Sequence, residues 1–155
     1  MRATLGQLRT PASSEPRTLA GGLDRLPALS EAVTAAGAPV TVEIEGERRP
    51  LPPAVDQAAY RILQESLTNV LRHAGPDARA TVSLRYEPAG LAIRVTDDGG
   101  RDGQAARARP AGGGHGLTGM AERAAAVGGE VTATPRAEGG FEVVARLPAT
   151  AGPAG

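Results

Sequence analysis

The sequence predicts an α+β fold, a two-layer sandwich in which a mixed, mostly antiparallel sheet carries helices on one face. One long helical pattern covers residues 55–74, and the elements from there follow the order helix, two strands, helix, two strands. The two strands of each pair are joined by short, turn-forming segments, which is typical of antiparallel hairpins. A chain of 155 residues without cysteine must stabilise this fold by packing alone, and its length is sufficient for that.

The N-terminal part alternates between short regular patterns and breakers. Residues 1–9 place apolar side chains at helical spacing, and residues 10–18 are rich in Pro, Ser and Thr, so we predict the end of a helix followed by a linker. Residues 26–36 predict a short amphipathic helix that ends at Gly37. The alternating segment VTVEIE at 40–45 predicts a strand.

The long helix begins near Pro53 and ends before Gly75-Pro76. At about 100° per residue its side chains separate into two arcs. The apolar arc, which we expect to pack on the sheet, contains Ala59, Tyr60, Leu63, Leu67, Val70 and Leu71. The opposite, polar arc contains Arg61, Glu65, Asn69, Arg72 and His73.

Two hairpins are predicted after this helix. The first joins strands at 80–86 and 91–96 and is followed directly by Asp97. The second follows a helix at 117–127 and joins strands at 130–134 and 141–147.

The segment between the hairpins, residues 98–114, contains glycines and arginines but no Leu, Ile, Val or aromatic residue. It therefore cannot pack on the core, and we expect a mobile loop of lid type.

Composition excludes several classes of function. Seventeen basic and seventeen acidic residues cancel, so no electrostatic feature favours nucleic acid or a membrane surface as a partner. All basic residues are arginines, which excludes a P-loop lysine and a Schiff-base lysine. No apolar run approaches the roughly 18 residues of a membrane span. We therefore expect a cytoplasmic location, whether or not the parent protein is membrane-anchored.

The polar arc of the long helix contains a first candidate constellation. Glu65, Asn69, Arg72 and His73 extend along two helical turns, and a solvated helix face would explain them equally well. Asn69 is the only asparagine in the chain and lies in mid-helix, where its side chain competes with the backbone. An amide oxygen is a hard ligand that suits Mg²⁺, and a neighbouring carboxylate could act as a base.

Two further constellations are rich in glycine. Asp97-Asp98-Gly99 follows a strand, which is also the pattern of an ordinary tight turn. The run from Gly112 to Leu117 leads into a helix, where backbone N–H groups favour an anion such as phosphate, although a flexible linker has the same composition.

Together, these motifs resemble the ATP-binding catalytic domain of sensor histidine kinases, which has the Bergerat fold shared with gyrase, Hsp90 and MutL. Residues 64–74, QESLTNVLRHA, look like the N box, residues 97–99 like the G1 box, and residues 114–120, GHGLTGM, like the G2 box. The resemblance covers roughly residues 38–148. The G2 wording is similar to the subfamily whose partners are LuxR-type response regulators.

The resemblance implies roles for individual residues. Asn69 would hold the Mg²⁺ that bridges the ATP phosphates, Glu65 would be the catalytic base, and Asp97 would accept the adenine amino proton. The remaining ATP-binding residues would be Arg72, His73, Gly99, Gly114, His115, Gly116 and Leu117. Two positions depart from the family pattern: Arg101 stands where the G1 box has glycine, and Gly140 replaces a common threonine.

The resemblance also implies a domain division. Residues 1–18 would be the end of a dimerisation helix and a linker, 19–148 the ATP-binding catalytic domain with a lid at about 100–114, and 149–155 a disordered tail. The histidine that accepts the phosphoryl group would lie on the kinase's own dimerisation domain, absent from this chain. The isolated chain is therefore expected to be a monomer that binds ATP and Mg²⁺ without autophosphorylation.

Three alternatives stay open. A serine kinase of the anti-sigma-factor type has the same fold but a different acceptor. A nucleotide-dependent interaction module would bind ATP and change a partner surface without transfer. An α+β domain without a ligand would have these motifs by chance.

Overall fold

The computed structural model of the chain describes residues 22–74, 77–99 and 114–149. These ranges form one five-stranded sheet, three α-helices and a 3₁₀ turn at Leu23–Arg25. The helices are α1 (Leu26–Ala35), α2 (Pro53–His73) and α3 (Gly114–Ala126). The strands are β1 (Val40–Glu45), β2 (Ala80–Glu87), β3 (Gly90–Asp97), β4 (Glu130–Pro135) and β5 (Phe141–Pro148).

The sheet has the order β1-β2-β3-β5-β4. Strand β1 pairs with β2 in parallel, and every other pair is antiparallel. Both predicted hairpins are present, as β2–β3 and β4–β5. The predicted α+β class with a mixed, mostly antiparallel sheet is therefore confirmed.

The helices cover one face of this sheet. Alternate residues of β2, β3 and β5 are buried, as expected for strands with one face on a core. The core side chains of these strands include Val82, Leu84, Ile93, Val95 and Val143, and they pack in one cluster with residues of α2 and α3. The opposite face has cross-strand ion pairs, such as Arg94 with Glu142 at 3.1 Å.

The face of α2 that meets the sheet differs from the prediction at one position. The sequence places Leu71 in the apolar arc, but its side chain is 39% exposed. Val70 is buried, and the next residue is turned by about 100°, which carries Leu71 away from the sheet. Ile62 and Ser66 are buried instead, so the packed arc is shifted toward them.

Helix α3 begins at Gly114, three residues earlier than predicted. Gly114, the last residue assigned to the predicted lid, therefore belongs to α3. The other lid residues, 100–113, lie outside the described ranges, as do residues 1–18 and most of the C-terminal tail. No helix in the described part of the chain is both long and apolar enough to cross a membrane.

The turn between β4 and β5 approaches the end of β3 very closely. Gly140 has a φ of 90°, and a Cβ atom on it would overlap the main-chain carbonyl of Asp97. This contact requires glycine for two reasons, the positive φ and the lack of space.

Replacing Gly140 with alanine is therefore expected to destabilise the domain by about 3 kcal/mol or more, from strain in φ plus steric overlap. Thermal unfolding should show a fall in Tm on the order of 10 °C. Gly37→Ala is the matched control, because Gly37 has a φ of 125° and a Cβ atom added to it would meet no other atom within 4 Å. It should cost less than Gly140→Ala, because strain in φ amounts to about 1–3 kcal/mol and no steric overlap is added. Equal losses in the two variants would contradict the close contact at Asp97.

Candidate functional site

The candidate residues lie along one border of the sheet, formed by the ends of its strands; this border is called an edge below. Strand β2 begins and β3 ends at this edge, where Ala80 pairs with Asp97, and Asp97 in turn pairs with Phe141 of β5. Helix α2 is the crossover between the parallel strands β1 and β2, so it returns toward the edge where β2 begins. The C-terminal half of α2 and the end of β3 therefore lie at the same edge.

Helix α3 runs in the opposite direction along α2. The Ser66 hydroxyl donates to the Met120 sulfur at 3.4 Å, which fixes the middle of α3 beside α2. A connection of three residues joins α3 to β4, which begins at the other edge of the sheet, where Glu130 pairs with Arg146. The C-terminus of α3 lies near that other edge, so its N-terminus at Gly114 points to the candidate site.

Asp97 is the central residue of this edge. Its side chain is on the helix-covered face of β3, and the residue is only 3% exposed. One carboxylate oxygen, Oδ1, accepts a hydrogen bond from the Gly99 N–H at 2.9 Å. A buried carboxylate needs hydrogen-bond donors, and its two oxygens can accept several. Asp97 is therefore suited to a ligand that presents an N–H group.

Asp98 is held by Arg79, the residue that precedes β2. The Asp98 N–H donates to the Arg79 carbonyl at 3.1 Å, and the Arg79 N–H donates to Asp98 Oδ1 at 2.9 Å. Gly99 is buried and Asp98 is exposed. The two adjacent carboxylates thus have different surroundings, and only that of Asp97 faces the layer between sheet and helices.

The polar arc of α2 divides into two groups. Glu65 and Asn69 are half-buried, whereas Arg61, Arg72 and His73 are exposed. Asn69 is three residues beyond Ser66 and four beyond Glu65, so all three lie on the side of α2 that faces α3. A purely solvated face would leave Glu65 and Asn69 as exposed as Arg61, so their partial burial supports a site between α2 and α3.

The donor set of this side of α2 fits Mg²⁺. A carboxylate and an amide supply hard oxygen atoms, and Mg²⁺ in nucleotide sites takes one or two protein ligands together with phosphates and water. Among the described residues, no three His, Cys, Asp or Glu side chains form a metal-binding group. Asn69 is the residue here that could hold the ion, and Glu65 lies one helical turn away from it.

The remaining predicted site residues lie at the N-terminus of α3. Gly114, His115 and Gly116 are the first residues of α3 rather than part of a loop before it, and only their backbone is described. Leu117 is half-buried and packs against the core. The backbone N–H groups of the first turn of α3 have no partners within the helix, which suits an anion.

Two residues contact the site without having been predicted as part of it, although Gly140 was noted as a departure from the family pattern. Arg136 donates to the Asp97 carbonyl at 3.0 Å, and Gly140 packs on the same carbonyl. Gly139-Gly140 indicated a turn, but no local pattern showed that this turn meets the end of β3. Arg136 had no sequence signal, because its contact joins residues 39 positions apart.

Comparison with known proteins supports this description. Residues 54–151 match the family described as histidine kinase-, DNA gyrase B- and HSP90-like ATPase. Over 97 residues the chain is 39% identical to the sensor histidine kinase YxjM of Bacillus subtilis (strain 168). That stretch is 63% of this chain but 22% of YxjM, so the chain spans about a fifth of the length of this curated relative.

Solved structures show the same fold. The histidine kinase domain of the Erythrobacter litoralis EL346 blue-light activated histidine kinase superposes with a TM-score of 0.55 at 24% identity, covering 79% of this chain and 64% of that one. A structure described as the blue-light activated histidine kinase itself gives a TM-score of 0.58 at 19% identity, covering 81% and 41%. Since the family match covers more than half of the chain, this chain belongs to the histidine kinase-, DNA gyrase B- and HSP90-like ATPase family, as an ATP-binding domain of the sensor histidine kinase type.

Proposed function

We propose that this domain binds ATP together with Mg²⁺ and catalyses transfer of the γ-phosphoryl group to a histidine on a dimerisation domain. The observation that carries the proposal is the buried carboxylate of Asp97 at the sheet edge, next to the helix that bears Glu65 and Asn69. An ATP site requires a hydrogen-bond acceptor for the adenine ring and an oxygen ligand for the metal, and Asp97 and Asn69 would supply them.

Asp97 is proposed to recognise adenine. Its carboxylate accepts a hydrogen bond from the amino group of the base, while Gly99, buried and without a side chain, leaves room for the ring. The first turn of α3, with Gly114, His115, Gly116 and Leu117, supplies backbone N–H groups for the phosphates. These roles agree with the position of α3, whose N-terminus points to the same edge as Asp97.

Asn69 and Glu65 are proposed to act at the phosphate end. Asn69 holds Mg²⁺ through its amide oxygen, and Glu65 takes up the proton of the attacking group or orients it. Arg72 and His73, exposed at the end of α2, are near enough along the helix to meet the phosphates. When bound, Mg²⁺ neutralises phosphate charge, which is the main electrostatic requirement of phosphoryl transfer.

The partners follow from the family and belong to the same proposal. The phosphoryl acceptor is the dimerisation domain of the kinase, and the receiver of the signal is a response regulator. The G2 sequence GHGLTGM at 114–120 supports a regulator of the LuxR type. We further propose that residues 19–148 form the catalytic domain, with residues 1–18 linking it to the dimerisation domain.

Thermal unfolding with nucleotide tests the binding part of this proposal. ATP at about one hundred times its Kd should stabilise the domain by about 2.7 kcal/mol. For a chain of this size, the Tm should then rise by roughly 5–10 °C. Mg²⁺ should increase the rise, and GTP should produce less. An unchanged Tm with ATP and Mg²⁺ at millimolar concentration would exclude the proposed site.

A further inference from the structure

Arg136, on the turn between β4 and β5, joins this turn to the candidate nucleotide site. One guanidinium nitrogen, Nη1, donates to the main-chain carbonyl of Asp97 at 3.0 Å. The other, Nη2, lies 3.2 Å from Glu138 Oε2. The side chain is 28% exposed, so the hydrogen bond to Asp97 is only partly accessible to water.

The backbone of Arg136 is fixed by the same turn. Its N–H donates to the Gly140 carbonyl at 3.0 Å, and its carbonyl accepts from the Gly139 N–H at 3.1 Å. A guanidinium with two partners and an anchored backbone has little freedom to move. Arg136 therefore holds the Asp97 carbonyl from a rigid support.

This contact acts at the point where β3 leaves the sheet. Gly140 packs against the Asp97 carbonyl, while Arg136 donates to it, so the peptide group after Asp97 is constrained by two residues of the turn. The orientation of that peptide sets where the Gly99 N–H can meet the Asp97 carboxylate. A hydrogen bond from a charged donor is stronger than one between neutral groups.

We propose that Arg136 is a positioning residue for adenine recognition, which rests on the proposed role of Asp97. By fixing the peptide after Asp97, Arg136 keeps the carboxylate in the one orientation that meets the amino group of adenine. Guanine presents an oxygen at that position, which a carboxylate repels. Arg136 thus contributes to the preference for ATP over GTP without touching the nucleotide.

Other paired arginines of the described sheet are more exposed than Arg136. Arg94 pairs with Glu142 at 3.1 Å and Arg85 with Glu45 at 3.1 Å, in both cases between neighbouring strands. Both arginine side chains are more than 60% exposed. Arg94→Met is therefore a suitable control for Arg136→Met, because this variant loses an arginine ion pair on the open face of the sheet.

The experiment compares Arg136→Met with Arg94→Met. Calorimetry gives the Kd of each variant for ATP and for GTP, and thermal unfolding without nucleotide gives its stability. We expect Arg136→Met to weaken ATP binding by up to about tenfold, because a misplaced Asp97 carboxylate loses its hydrogen bond to the adenine amino group, and to reduce the ATP-over-GTP ratio. Arg136→Lys, which keeps a cationic donor, should restore most of that ratio, and Arg94→Met should retain it.

The ATP-over-GTP ratio of Arg136→Met decides whether Arg136 is a positioning residue. An unchanged ATP-over-GTP ratio in Arg136→Met overturns it, as does an equal loss for both nucleotides that parallels a lower Tm. If Arg136→Met fails to fold, Arg136→Gln, whose shorter side chain cannot reach the Asp97 carbonyl, is measured in its place with the same expected loss of ratio. Failure of the proposed function shows separately, because the unmodified chain would then not bind ATP.

Discussion

Asp97→Asn is expected to weaken ATP binding by at least tenfold while the domain stays folded. The side chain keeps its shape, and its remaining oxygen can still accept from the Gly99 N–H. The lost interaction is a hydrogen bond to a charged acceptor, worth about 1.5–3 kcal/mol, or roughly 10- to 150-fold in affinity. The new amide can also turn an N–H group toward the amino group of adenine, which adds repulsion between donors. Calorimetric titration with ATP measures the change.

Asp98→Asn is the matched control for this prediction. The substitution is chemically the same and is made at the next residue. Asp98, however, is exposed, and its Oδ1 accepts from the Arg79 N–H. We expect ATP affinity within about twofold of the unmodified chain, because a surface substitution of this kind has a small effect. Tight ATP binding by Asp97→Asn, or a similar loss in both variants, would exclude Asp97 as the residue that recognises adenine.

Glu65→Gln is expected to separate catalysis from binding. The amide retains the size of the side chain and its place on the α3 side of α2, but it cannot accept a proton. Loss of a general base lowers a rate by about 10²- to 10⁴-fold. The Kd for ATP should change little, because Glu65 is proposed to act on the attacking group rather than on the nucleotide. The rate is measured as transfer of radiolabelled phosphate to a dimerisation domain supplied in trans.

Glu31→Gln on α1 is the control for the same chemistry. Glu31 is exposed and lies outside the site, so its removal should leave transfer unchanged. Full transfer by Glu65→Gln would show that another group is the base. An unmodified domain that binds ATP but gives no transfer to the acceptor would favour a nucleotide-dependent interaction module instead.

Much of the fold can be predicted from short-range sequence patterns. The sequence predicts that β3 ends at residue 96, directly before Asp97. In the structure the strand includes Asp97, because the alternation of buried residues continues one step further. Helix α2 begins at Pro53, where the sequence predicts its start, since proline is compatible with the first turn. These features depend on residues close together in the chain.

Features that depend on distant contacts could not be predicted in this way. The parallel pairing of β1 with β2 and the insertion of β5 between β3 and β4 have no local signature. The sequence predicts too late a start for α3, because the glycines at 114 and 116 have low helix propensity, whereas the structure includes both in the first turn. The contact of Arg136 with Asp97 could not be predicted for the same reason, since the two residues meet only after both hairpins are in the sheet.

The parallel pairing of β1 with β2 has a consequence for the order of folding. Val40 pairs with Ala80, forty positions along the chain, whereas β2 and β3 are joined by a two-residue turn. Closing the long segment costs more chain entropy and slows folding, so the β2–β3 hairpin can form before β1 joins the sheet. Helix α2 lies within that long segment and carries Glu65 and Asn69. Because α2 is anchored at both ends only when this long segment closes, we expect ATP to stabilise the complete fold rather than the β2–β3 hairpin alone.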